Sequence, residues 1–181
     1  QGFNDPWDVA VAPGRRFNVR AVGEADGDTA VDGIYVADTW NHRIQKLDAE
    51  GTLITAWGMF GQYAPGDAGG ASAFYGPRGV AVGPDGSVYV TDTGNKRVQV
   101  FDPEGIFLRQ WGGGGVIEGY LDEPVGIAVG PDGSVYVADT WNQRVQVFDA
   151  AGNFLRQWPI AGWDAGLPEE KPYLAVDDYG Y

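Results

Sequence analysis

A phrase of 20 residues occurs three times in this chain. It stands as DTWNHRIQKLDAEGTLITAW at 38–57, DTGNKRVQVFDPEGIFLRQW at 92–111 and DTWNQRVQVFDAAGNFLRQW at 139–158. The copies begin 54 and 47 positions apart. Pro77, Pro124 and Pro172, which open successive units, stand 47 and 48 apart, and Pro6 lies 71 before Pro77. A regular period of about 47 residues implies copies of one supersecondary unit, each too small to bury its own apolar faces.

In the second unit, four short apolar runs are expected as strands: Gly79–Val82, Ser87–Thr91, Arg97–Phe101 and Phe107–Trp111. Turn chemistry separates each pair. GPDG presets φ at Pro84 and frees φ at Gly86. DTGN comes next, and DPEG has the make-up of a type I turn. Short strands with a turn signal at every junction predict a four-stranded antiparallel meander. Apolar on both faces, such meanders stack radially into a β-propeller. The 29 Gly, 7 Trp, 9 Tyr and 8 Phe suit an all-β chain rich in tight turns.

The run PRGVAVGPDGSVYVTDTGNKRVQVF at 77–101 and its counterpart PVGIAVGPDGSVYVADTWNQRVQVF at 124–148 closely resemble the NHL-repeat family, and the first unit resembles it from Ile34 onward. The resemblance implies a propeller of six blades, of bacterial type, with about three and a half blades present. They are 1–58 with an inserted loop at 14–33, 73–112, 120–158, and the start of a fourth at 172–181. Three and a half blades do not close a ring. The chain is therefore expected to be part of a longer protein, or to complete a ring as a symmetric homodimer. The insertion, GRRFNVRAVGEADGDTAVDG, reads as a surface loop or extended hairpin, with docking of a neighbouring domain as the alternative. The family includes scaffolds, RNA binders, ligand sensors and metal-dependent lyases, so fold alone assigns no activity.

Asp139, Asn142 and Arg144 look like a polar site, but Asp38, Asn41 and Arg43 repeat them, as do Asp92, Asn95 and Arg97. A catalytic constellation needs to occur once. Asp and Asn side chains bond turn backbones, and a strand-opening Arg between blades must find acceptors. The repeated Asp and carbonyls of the next blade are the expected partners, so the set is structural. Trp57, Trp111 and Trp158 recur and are expected in the core.

Function is then expected where the units differ: the connections 58–77, 112–124 and 159–172, on the same face as the DT turns. That face carries Trp40, Tyr63, Tyr75, Tyr120, Trp141 and Trp163 as candidate binding residues. Loop aromatics anchor protein partners or stack on sugars. Lyase-type members of the family hold metal with His from several blades. This chain has only His42, at a turn position where the other units have Lys96 and Gln143. Asp67, Glu118, Asp122, Glu123, Asp164, Glu169 and Glu170 lack the alternate spacing of a loop Ca²⁺ site. No cofactor and no metal site are expected. GGGG at 112–115 precedes no helix and is a weak phosphate signal.

A formal charge of −13 argues against nucleic acid, whose affinity rests on Lys and Arg. The chain has no cysteine and no apolar run of membrane-spanning length. The reading is a non-catalytic module that binds a protein, or a neighbouring domain of its own parent chain, through the loop face. An extracytoplasmic or cell-surface place in a bacterium is expected, attached to a membrane-anchored parent. The alternatives are a carbohydrate-binding propeller and part of a metal-dependent lyase or lactonase.

Overall fold

The computed structural model describes residues 2–13, 31–63, 70–160 and 172–177. Three four-stranded antiparallel sheets follow one another along the chain. Blade 1 is β1 (Asp8–Pro13), β2 (Val31–Asp38), β3 (Arg43–Leu47) and β4 (Leu53–Trp57). A two-residue parallel pair, β5 (Met59–Phe60) with β6 (Ala73–Phe74), lies in the connection that follows. Blade 2 is β7 (Pro77–Val82), β8 (Val88–Asp92), β9 (Arg97–Phe101) and β10 (Phe107–Gly112). Blade 3 is β11 (Pro124–Val129), β12 (Val135–Asp139), β13 (Arg144–Phe148) and β14 (Phe154–Pro159). Each sheet is a simple meander in chain order. Most of the insertion predicted at 14–33 lies outside the described residues.

The GPDG and DPEG turns close as their residues dictate. Gly86 N donates to Gly83 O at 2.9 Å, with Gly86 at φ 86°. Ser87 is predicted in the strand but sits in the turn, because its N–H and hydroxyl both donate to the Asp85 carboxylate, at 3.0 and 2.8 Å. The first strand of blade 2 begins two residues earlier than expected, across a bulge: Pro77 pairs with Asp92, and the ladder resumes with Val80 opposite Val90. Gly79 N, displaced from the ladder by the bulge, donates to the Thr91 hydroxyl at 2.7 Å.

The core lies between blades. Ala12, Tyr35, Ala37 and Ile44 of blade 1 meet Val80, Val88, Val90 and Phe101 of blade 2. Ala81, Tyr89, Val98 and Val100 on the other face of blade 2 meet Ile127, Val135, Val137 and Phe148 of blade 3. Trp57 and Trp111 each reach the turn of the next blade. Trp57 is packed where a Cβ on Gly105 would fall, and Trp111 where one on Gly152 would fall, at 2.6 Å in each case. Trp158 departs from the expectation of a core residue: it is 41% exposed, and among the described residues no turn glycine packs on it as Gly105 packs on Trp57. Val9 and Val11, on the opposite face of blade 1, are also exposed.

Polar stitches run between blades as well. Thr39 Oγ1 donates to Pro77 O, and Thr93 Oγ1 to Pro124 O, each at 2.7 Å. Thr93→Val keeps the shape and removes the donor. It is expected to lower stability by about 1–2 kcal/mol, measurable as a shift of the urea midpoint.

Candidate functional site

The Asp of each DT turn is a buried hub. Asp92 is fully buried and accepts from Asn95 Nδ2 (2.9 Å), Arg97 Nε (2.8 Å), Gln99 Nε2 (3.1 Å) and the backbone N–H of Tyr75 (2.8 Å). Asp139 accepts from Asn142, Arg144, Gln146 and the N–H of Asp122. Asp38 accepts from Asn41, Arg43, Gln45 and the N–H of Asn4. Burial works against the charged form of Asp38, but these four donors overcome it and hold its carboxyl below the usual range. At Asp92, more deeply enclosed, burial outweighs the Arg97 guanidinium and pushes the carboxyl up.

Two parts of this arrangement differ from the sequence expectation. Among the described residues, the guanidinium bonds run to its own blade rather than to the next. Arg97 Nη2 donates to Gly70 O and Ala73 O, in the connection that enters its own blade. Arg144 Nη2 does the same to Ile117 O and Tyr120 O. The contact to the next blade is made by Thr39 and Thr93, through the carbonyls of the blade-opening prolines. The second difference is a missing member: Gln45, Gln99 and Gln146 belong to the hub. The signal was present, because Arg-x-Gln recurs at 43–45, 97–99 and 144–146.

The connections and the DT turns share one face, as Asn95 Nδ2 bonded to Gly61 O and Trp141 N bonded to Asp122 O show directly. Trp40 and Trp141 occupy the same turn position in blades 1 and 3, and both are exposed. Trp40 Nε1 donates to Asp5 Oδ2 at 2.9 Å. Blade 2 has Gly94 at that position, and the Tyr75 ring fills the space a side chain would take, 2.4 Å from a Cβ there. Tyr75 is half-buried against His42 and Phe60. Tyr63 is half-buried with the Arg97 guanidinium over its ring. Tyr120 is exposed. Trp163 lies outside the described residues.

The same face carries exposed apolar residues that sequence reasoning passed over. Met59, Phe60, Val116 and Ile117 join Trp40, Tyr120 and Trp141, with exposures from 43% at Tyr120 to 72% at Val116. They sit in connections whose length and content differ between units, so no repeat marks them.

A second set of non-repeating residues follows the opening prolines: Trp7, Arg78, Val125 and Tyr173. The Arg78 guanidinium lies 4.4 Å from the centroid of the Trp7 ring, and Arg78 Nη1 is 3.7 Å from Glu123 Oε2. Tyr173 Oη donates to Trp7 O at 3.4 Å. These contacts bring the entrances of β1, β7 and β11 together with residues 172–177.

His42 is half-buried rather than an exposed turn residue. Its Nδ1 accepts from Gly76 N at 3.1 Å, and burial pulls its pKa down from 6.5. Folding thus favours the neutral ring, which alone accepts at Nδ1. The stability this adds is present above 6.5 and is lost as pH falls from 6.5 through the lower folded value. His42→Gln is expected to remove the pH dependence of stability in that window, seen by comparing urea unfolding at pH 7.5 and 5. Asp122 pairs with Lys96 Nζ at 2.7 Å, Glu123 faces Arg78, and Glu118 is exposed. Asp67, Asp164, Glu169 and Glu170 lie outside the described residues. Among the described residues no group of three or more His, Asp or Glu converges to hold a metal.

Residues 74–101 and 121–148 match the family model described as NHL repeat. Each match covers the first three strands of a blade. No curated protein matches the chain in sequence. Among solved structures, hydrazine synthase of Kuenenia stuttgartiensis is similar at a TM-score of 0.57 and 18% identity, over 86% of this chain and 37% of that one. A streptogramin B lyase is similar at 0.56 and 14%, over 94% and 44%. Virginiamycin B lyase from Staphylococcus aureus is similar at 0.53 and 16%, over 79% and 41%. The chain spans less than half the length of each, and the likeness is one of fold.

Proposed function

Blades 2 and 3 are NHL repeats of a β-propeller, and on that premise we propose that the chain is a non-catalytic module that binds a protein through its loop face. One observation carries the reading. Seven large apolar side chains, from Trp40 to Trp141, stand exposed on the face where the connections and DT turns meet. Other large apolar residues are exposed elsewhere, Val9, Val11, Ile54 and Leu155 among them, but these seven stand on connections and turns that meet on one face, the kind of surface that binds partners. The Trp and Tyr among them are residue types that anchor protein interfaces. Met59, Val116 and Ile117 favour a protein partner over a sugar, which stacks on flat rings and needs polar groups around them.

The partner is a separate protein or a neighbouring domain of a longer parent chain, in an extracytoplasmic or cell-surface setting. Residues 172–177 lie against β11, where a Cβ on Gly126 would meet Pro172 O at 2.6 Å. A two-fold homodimer that completed a ring through this edge would have to displace them.

Trp141→Ala is expected to leave the unfolding midpoint within about 0.5 kcal/mol, as for surface substitutions. It should reduce recovery of co-purifying protein at least tenfold by quantitative mass spectrometry. Unchanged recovery contradicts the reading, and a glycan-array signal lost in the same variant replaces it with carbohydrate recognition.

A further inference from the structure

Each DT turn ends on a residue with a left-handed backbone, His42, Lys96 or Gln143, at φ 53–57°. In blades 1 and 2 the side chain of that residue reaches the end of the connection that leads into the next blade. Lys96 Nζ meets Asp122 Oδ1 at 2.7 Å. His42 Nδ1 accepts from Gly76 N at 3.1 Å. The two clasps tie matching places, since Tyr75 and Asp122 each donate an N–H to the hub carboxylate of the blade they enter. Their chemistry differs. One joins a cation to a carboxylate. The other joins a ring nitrogen to a backbone N–H, through the only histidine of the chain.

Gly76 is buried, and among the described residues His42 Nδ1 is the one acceptor its N–H meets. A buried N–H without an acceptor is costly, and a ring protonated at Nδ1 has no lone pair to offer there. The same ring packs against the loop face. Its centroid lies 4.9 Å from that of Phe60 and 6.2 Å from that of Tyr75, and the Phe60 and Tyr75 rings meet edge to face at 5.6 Å. Phe60 is 59% exposed and belongs to the apolar surface. The titratable groups that face the imidazole are Tyr75, from the connection, and Asp92, at the end of β8. Asp92 favours the charged ring, and burial disfavours it more strongly.

Resting on the loop-face reading, we propose that His42 is an acid-released clasp on that face: the neutral ring fixes Gly76 and supports Phe60 for the protein partner, and the charged ring lets both go, so that the partner is held at neutral pH and released in acid. Protonation turns the Nδ1 lone pair into an N–H that opposes the Gly76 N–H. The ring must then leave Gly76, and Phe60 loses the surface it rests on. A partner that needs Phe60 in place binds the neutral form better, and by linkage its binding opposes protonation of His42. The Lys96–Asp122 clasp does not use the ring, so Val116 and Ile117 keep their places and the change is confined to the junction of blades 1 and 2.

The test starts with an NMR pH titration of the chain, whose single histidine gives one titrating imidazole. The Gly76 amide and Phe60 ring signals are expected to move with the midpoint of the His42 ring, below 6.5, while those of Val116 and Ile117 stay still. His42→Gln installs the residue that blade 3 carries at this position, and its amide oxygen accepts at any pH. It should abolish both movements. A His42 ring that titrates while Gly76 and Phe60 do not respond overturns the proposal. The second arm takes protein recovered on the chain at pH 7.5 and follows its binding as pH is lowered to 5. Apparent affinity should halve at the His42 midpoint and fall about tenfold per pH unit below it. The His42→Gln chain should hold the protein throughout. Equal release from the variant, or no release from the unaltered chain, overturns the proposal. No protein recovered at pH 7.5 contradicts the loop-face reading, and partner release falls with it. The NMR arm tells that failure apart from a clasp that does not open.

Discussion

Asp92→Ala is expected to lower the unfolding free energy by about 3–5 kcal/mol, the range for stripping the partner from a buried charge. The carboxylate is fully buried and gathers four donors. Without it, Arg97 keeps its positive charge at 6% side-chain exposure, and the Asn95, Gln99 and Tyr75 donors lose an acceptor. Arg97 would retain Gly70 O, Ala73 O and Gln110 Oε1, which are dipoles and weaker partners than a carboxylate. The same change at Asp38 should cost less, because Arg43 is three times as exposed and water can replace the lost partner. Urea unfolding followed by Trp fluorescence distinguishes the two. Equal losses at Asp92 and Asp38 would mean that burial does not set the cost.

Gly79→Ala should destabilise by about 3 kcal/mol, the upper part of the range for overpacking. Here the obstacle is backbone. A Cβ on Gly79 would lie 2.2 Å from Val125 O in the next blade and 2.8 Å from Thr91 Oγ1. Thr91 can rotate, but only by surrendering its bonds to Gly79 N and Val125 O. Val125 O moves only if blades 2 and 3 separate, which opens the Ala81–Ile127 core. Gly119→Ala is the contrast: nothing lies within 4 Å of its Cβ, so only the left-handed φ resists. A loss at Gly79 no larger than at Gly119 would mean that the inner strands are not tightly apposed.

Blade architecture was legible because local chemistry and the inter-blade core agree at every junction. GPDG and DPEG turn where they stand alone, and the Val and Tyr runs between them are strands in any context that buries both faces. What failed to show locally depends on a partner far along the chain. Pro77 to Gly79 forms a bulge because the Thr91 hydroxyl receives the displaced N–H, and no pattern within β7 announces that. Trp158 repeats Trp57 and Trp111 residue for residue, yet its burial depends on a neighbouring glycine rather than on itself.

The polar hub was half visible. Repetition marked Asp, Asn and Arg as structural, and their convergence agrees with that. The glutamines carry the same signal at a fixed offset, but a Gln inside a strand run looks like any other strand residue. The target of the Arg was not legible, since carbonyls have no letter in a sequence: Gly70 and Ala73 offer the same acceptors as Ile117 and Tyr120. The loop face was legible in its aromatics and not in Met59, Val116 and Ile117, whose exposure follows from the path of the connections.

The measurement that bears most directly on the proposed role compares co-purifying protein on the intact chain and on a Trp40→Ala/Trp141→Ala variant, with unfolding followed in parallel. The account predicts an unchanged unfolding midpoint and at least a tenfold loss of a specific partner. An unchanged partner with an unchanged midpoint would contradict it, and would place recognition away from the loop face.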